Sequence, residues 1–115
     1  MSSKTTDFAA QLLEAEQSRA GIEPLTTVNP ELKADEAYYI QLENIEKKLA
    51  EGRKITGKKI GLTSVAVQNM FGVNEPDYGH LLDDMAVENG GTVSCGKLLQ
   101  PKVEGEIAFI LKKDL

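Results

Sequence analysis

The chain has 115 residues, 41% of them hydrophobic and 27% charged, with a formal net charge of −5. That length allows one small core, and the composition is ordinary for a globular domain. Acidic and basic residues are interspersed, which argues against a nucleic-acid or anionic-membrane surface.

No stretch reaches the length of a transmembrane helix, and the polar start at residues 1–6 lacks the apolar core of a signal peptide, so a cytoplasmic location is expected. Residues 7–20 set Phe8, Leu12 and Leu13 among small alanines at helical spacing, with Thr6 or Asp7 able to cap and Gly21 just past the end. Residues 22–30 hold two prolines and predict an extended connector. Residues 31–51 predict a helix: Tyr38, Leu42, Ile45 and Leu49 step by four, three and four, Glu43 faces Lys47, and Gly52 supplies the stop. That apolar face needs a partner.

Residues 55–62 predict a short strand interrupted by glycines. Thr63 or Ser64 can then cap a helix through Val65, Ala66, Val67, Met70 and Phe71, closed by Gly72. A strand running into a capped helix leaves free N–H groups at the turn, so Gly61, Leu62, Thr63 and Ser64 are candidates to seat a substrate carboxylate, although an ordinary strand-to-helix turn is the commoner explanation. Residues 73–79 predict a turn, in which Asp77 suits an Asx turn as well as an acid of a site, followed by a short strand at 80–82. His80, the one histidine, has no clustered ligand types around it and is expected to pack or to face solvent. Residues 88–91 form a turn signal, and the lone Cys95 cannot make an internal disulfide; it is expected to be an incidental thiol.

The run at residues 100–111 predicts a strand on which Glu104 and Glu106 share a face with Ala108 and Ile110, while Val103, Ile107, Phe109 and Leu111 share the other. Same-face neighbours lie about 6.5 to 7 Å apart at Cα, so the two carboxylates can converge on one ion. Either they face water on an amphipathic strand, or they begin the wall of a pocket. Oxygen donors without His or Cys would favour a hard cation such as Mg²⁺ or Mn²⁺. The chain stops four residues after this run, as the front portion of something larger would.

Taken together, the stretches at 57–64, 66–70, 75–79 and 100–109 resemble the 2-keto-4-pentenoate hydratase branch of the fumarylacetoacetate hydrolase superfamily. The resemblance runs over nearly the whole chain and implies an α+β fold: an N-terminal helical segment (1–52) packed on the first strands of a mixed β-roll (53–115), incomplete in this chain. It implies a divalent Mg²⁺ or Mn²⁺ held by three acids, of which Glu104 and Glu106 match the first two and the third lies beyond residue 115. Lys59 and Asp77 match the family's active-site positions, with Gly61, Leu62, Thr63, Ser64 and Ile107 at the substrate. The implied reaction adds water to 2-hydroxypenta-2,4-dienoate to give 4-hydroxy-2-oxopentanoate in meta-cleavage breakdown of aromatic compounds; decarboxylation of 4-oxalocrotonate, or service as a non-catalytic assembly fragment, are the alternatives. Homo-oligomers and a complex with a pathway decarboxylase are implied partners. With the apolar face of its last strand uncovered, the chain alone is expected to aggregate or to order only by self-association.

Overall fold

A computed structural model describes residues 3–115; Met1 and Ser2, part of the polar start, lie outside the described residues. The first helix, α1 (Ser3–Ser18), begins earlier than its caps suggest and ends at Arg19, whose φ of 55° breaks the helix before Gly21 is reached. The connector at 22–30 is not wholly extended: Pro24 stands at the N-cap of a single turn, α2 (Leu25–Val28), and its carbonyl accepts from Thr27 N–H at 2.9 Å. Proline's fixed φ suits the start of a helix, so the residue that excludes a helix before it opens one after it.

The third helix, α3 (Ala34–Ala50), is shorter than the periodicity suggests because Glu36 folds its carboxylate back onto the Lys33 N–H at 3.0 Å and starts the helix there. Its partner is α1. Phe8, Ala9 (0% exposed) and Ile40 (1%) form the buried centre, with Leu25 and Leu32 packed against it. Asn44 donates to the Ala9 carbonyl at 2.8 Å, and Lys48 reaches both oxygens of Glu16 at 2.7 and 2.8 Å. These contacts advance together along both helices, so α1 and α3 run in the same sense and the segment between them crosses back along their length.

Strand β1 (Ile55–Gly61) pairs antiparallel with β2 (Asp77–Leu82), and α4 (Val65–Phe71) fills the connection. The α4 ends are as expected: Ser64 Oγ accepts from Val67 N–H at 3.2 Å, and Gly72 closes the helix at φ 69°. Asp77, Tyr78 and Gly79, expected in a turn, are instead the first half of β2. The Pro-Asp and Tyr-Gly pairs carry turn propensity, but ladder hydrogen bonds to Ile60 and Gly61 prevail over it.

The strand expected at 100–111 is absent. A strand needs a neighbour to take its N–H and C=O groups, and among the described residues none pairs with this segment. Its apolar side chains stand in solvent, with Val103 at 101% and Ile110 at 99% exposure.

Candidate functional site

Pairing fixes which side chains share a face of the hairpin. Lys59 lies opposite Gly79 and Gly61 opposite Asp77, so these four face one way; Lys58, Ile60, Tyr78 and His80 face the other. On the second face Tyr78 stacks on Tyr38 of α3, with ring centroids 4.8 Å apart, and Lys58 Nζ lies 5.7 Å from the centre of the Tyr78 ring. This docking ties the hairpin to the helices.

The first face lines a cleft of about 670 Å³ that also reaches Tyr78 and His80 of the neighbouring strand. Two glycines, 61 and 79, separate Lys59 from Asp77 and add no side chain of their own to the floor. At Gly61 the space is already taken: a Cβ there would sit 2.5 Å from Asp77 Oδ1. Beyond it the backbone turns into α4 through Leu62, which holds φ 53°, a conformation a bulky side chain adopts only where its surroundings impose it. Gln68 Nε2 donates to the Leu62 carbonyl at 2.8 Å and holds the turn.

Across the cleft lie Glu104 and Glu106. Lys59 Nζ donates to Glu104 Oε2 in a short contact and lies 3.7 Å from Glu106 Oε1, so both carboxylates converge on one positive charge. The hydrogen bond to Glu104 holds the Lys59 ammonium above the 10.5 of a free lysine against the desolvation that opposes it, with the charges of Glu104 and Glu106 adding to the same end. Conversely the Lys59 hydrogen bond and charge, with Lys102 adding a little, hold the Glu104 carboxyl below 4.5. All three side chains remain about half exposed, so the attachment of residues 104–106 to the hairpin is ionic, not apolar.

The cleft thus gathers eight of the nine expected site residues: Lys59, Gly61, Leu62, Thr63, Ser64, Asp77, Glu104 and Glu106. Ile107 is not among its walls; it is 86% exposed because its segment has no strand neighbour. Gln41 and His80 line the cleft without having been expected there. Gln41 Nε2 donates to the Tyr78 carbonyl at 3.3 Å, which turns its amide oxygen towards His80 Nδ1 at 3.3 Å, so in neutral imidazole Nδ1 carries the proton. Cys95 is exposed and away from the cleft, as an incidental thiol would be.

Two carboxylates converging on a single cation fit the donor set of a Mg²⁺ or Mn²⁺ site in part. A third acid is missing: among the described residues no group of three or more His, Cys, Asp or Glu side chains could hold a metal ion. A second cavity, of about 210 Å³, lies where α1 and α3 end; its Lys47, Lys48 and Arg53 are already paired with Glu43, Glu16, Glu51 and Asp84. No helix among the described residues is long and apolar enough to cross a membrane.

No protein-family model matches the chain. Among curated proteins it is 48% identical over 110 residues to a 2-hydroxypent-2,4-dienoate hydratase of Pseudomonas putida, covering 95% of this chain and 50% of that protein. It is also 48% identical over 112 residues to 2-keto-4-pentenoate hydratase 1 of Dechloromonas aromatica, covering 96% of this chain and 43% of the relative. Among solved structures it resembles 4-oxalocrotonate decarboxylase from Pseudomonas putida G7, complexed with calcium and acetate in one case and with magnesium and adipate in another. Both superpose with a TM-score of 0.80 at 38% identity over 84% of this chain, and the chain covers 37% and 36% of them. The chain therefore spans half or less of the length of the relatives it matches. Over that span the chain is similar in sequence to 2-keto-4-pentenoate hydratases and in structure to a 4-oxalocrotonate decarboxylase.

Proposed function

We propose that this chain carries the lysine and two of the metal-binding acids of a hydratase that adds water to 2-hydroxypenta-2,4-dienoate, giving 4-hydroxy-2-oxopentanoate in meta-cleavage breakdown of aromatic compounds. The observation that carries the reading is the convergence of Glu104 and Glu106 on Lys59, in a cleft whose floor also bears Asp77. The hydratases at 46–49% identity support the choice of reaction.

Glu104 and Glu106 would hold Mg²⁺ or Mn²⁺, with a third acid supplied from outside the described residues. When bound, such a cation supplies positive charge that stabilises negative charge building on the 2-oxygen of the substrate. Gly61, Leu62, Thr63 and Ser64 line the end of the cleft and receive the substrate carboxylate; Ile107 would join them only if its segment closed over the cleft. Lys59, an ammonium at any physiological pH, places a second positive charge and a proton donor beside the substrate oxygens. Asp77 orients Lys59 or the attacking water. Gly61 makes room for Asp77 to come that close to the strand.

In this reading residues 1–52 are the helical segment and residues 53–115 the first part of a mixed β-roll, with β1 and β2 as the strands formed here. Homo-oligomers, a complex with a pathway decarboxylase and a cytoplasmic location belong to the same reading. Decarboxylation of 4-oxalocrotonate is the second reading, favoured by the two structural neighbours. The test is an assay of the protein with Mn²⁺ on both substrates. Consumption of the dienoate with formation of 4-hydroxy-2-oxopentanoate, lost in Glu106→Gln and on chelation, is expected; CO₂ release from 4-oxalocrotonate without hydration would favour the second reading, and turnover surviving Glu106→Gln would contradict both.

A further inference from the structure

Resting on Glu104 and Glu106 as cation ligands, we infer that Lys59 occupies the place of the divalent ion until that ion arrives, and that metal loading displaces its ammonium from the acids to Asp77. The Lys59 ammonium is hydrogen-bonded to Glu104 Oε2 and lies 3.7 Å from Glu106 Oε1, which is the position of an ion bridging the two carboxylates. A hard dication takes carboxylate oxygens at about 2.0 to 2.6 Å, so one seated between these acids leaves no room for Nζ on the same side. Charge acts in the same direction, since an ammonium about 4 Å from a dication is repelled by twice the energy of a unit pair. The two occupants exclude each other.

Lys59 is free to move, because its side chain is about half exposed and both of its acidic contacts are to a segment outside any helix or strand. The strand itself puts no side chain in its way, with Gly79 directly opposite and Gly61 two residues along; Gln41 Nε2 lies over Gly79 and Asp77 Oδ1 over Gly61. Asp77 is the remaining carboxylate on that face, its Oδ1 leaning over Gly61. Metal loading thereby makes the lysine available to a bound substrate, and before loading the lysine keeps the two acids together against their own repulsion. The site is closed by an internal cation until an external one replaces it.

The test is Mn²⁺ affinity at low ionic strength, read from the electron paramagnetic resonance of free Mn²⁺, for the wild-type chain, Lys59→Met and Lys58→Met. Lys58 is the control for overall charge, because it lies on the opposite face against Tyr78. Lys59→Met is expected to tighten binding by roughly five- to tenfold, the scale of one unit charge removed at contact distance in a half-exposed site, and Lys58→Met to change it little. Equal or weaker binding by Lys59→Met, or equal tightening in both variants, overturns the displacement while leaving the metal reading intact. No Mn²⁺ binding by any of the three overturns both. A crystal structure of the wild-type chain with Mn²⁺ avoids any folding defect of the variant: Lys59 Nζ is expected beside Asp77, and Nζ still on Glu104 with the ion bound contradicts the inference.

Discussion

Two glycines of β1 make opposite demands on the chain. At Gly57 an added Cβ would meet Leu81 Cδ1 at 3.8 Å, an ordinary contact, whereas at Gly61 it would meet Asp77 Oδ1 at 2.5 Å. Gly61→Ala is therefore expected to push the exposed Asp77 carboxylate aside, a shift of a flexible side chain that costs less than about 1 kcal/mol in chemical denaturation, while Gly57→Ala stays within about 0.5 kcal/mol or stabilises the strand. Equal effects of the two would remove the steric reason for glycine at 61. Glu104 offers a second test at this scale. Its folded carboxyl is held below 4.5, so its ion pair with Lys59 contributes fully above that value and is lost as pH falls through the depressed folded value. Lys59 is shifted the other way, so its share is present below 10.5 and is lost only as pH rises beyond that. Between these limits the pair is pH-independent. Side-chain carboxyl NMR should show Glu104 titrating below 4.5 in the wild-type chain and returning towards that value in Lys59→Met; an unchanged titration would contradict the pairing.

Among the elements, α1 and α3 are joined by a small apolar centre and by one ion pair at its margin. Lys48 is buried, with its ammonium on both oxygens of a half-exposed Glu16. Removing the acid strands the ammonium, whereas Met in place of Lys48 keeps the stem and drops the charge. Glu16→Gln is expected to lose about 1 to 2 kcal/mol and Lys48→Met less than about 1 kcal/mol, measured by urea unfolding; the reverse order would mean that the pair itself, not the stranded charge, sets the energy. Elements with local signals were legible in the sequence: Ser64 and Gly72 bound α4 because their effects reach only three or four residues. Asp77 was misread because turn propensity is local and strand pairing is not. Gln41 and His80 carried no signal for the cleft, since Gln41 meets Tyr78 and His80 across 37 to 39 residues of sequence and only the docking of α3 on β2 brings them together.

At the scale of the whole molecule, the alternation at 103–111 suggested a strand, but a strand is a property of two segments and the pattern could not supply the second. Val103, Ile107, Phe109 and Ile110 consequently stand exposed in one stretch, which is a liability for association. Sedimentation velocity is expected to show the 115-residue chain self-associating as its concentration rises, with Phe109→Ser and Ile107→Ser together reducing it; a monomer at every concentration would contradict this. The same segment carries Glu104 and Glu106, so the acids of the site are the least supported part of the fold and are held to the hairpin through Lys59. The most direct test of the account is Mn²⁺ binding by the wild-type chain against Glu104→Gln combined with Glu106→Gln. Binding by the wild type that is lost in the double variant is the predicted result, and binding of equal strength in both would contradict the claim that these two carboxylates form a cation site.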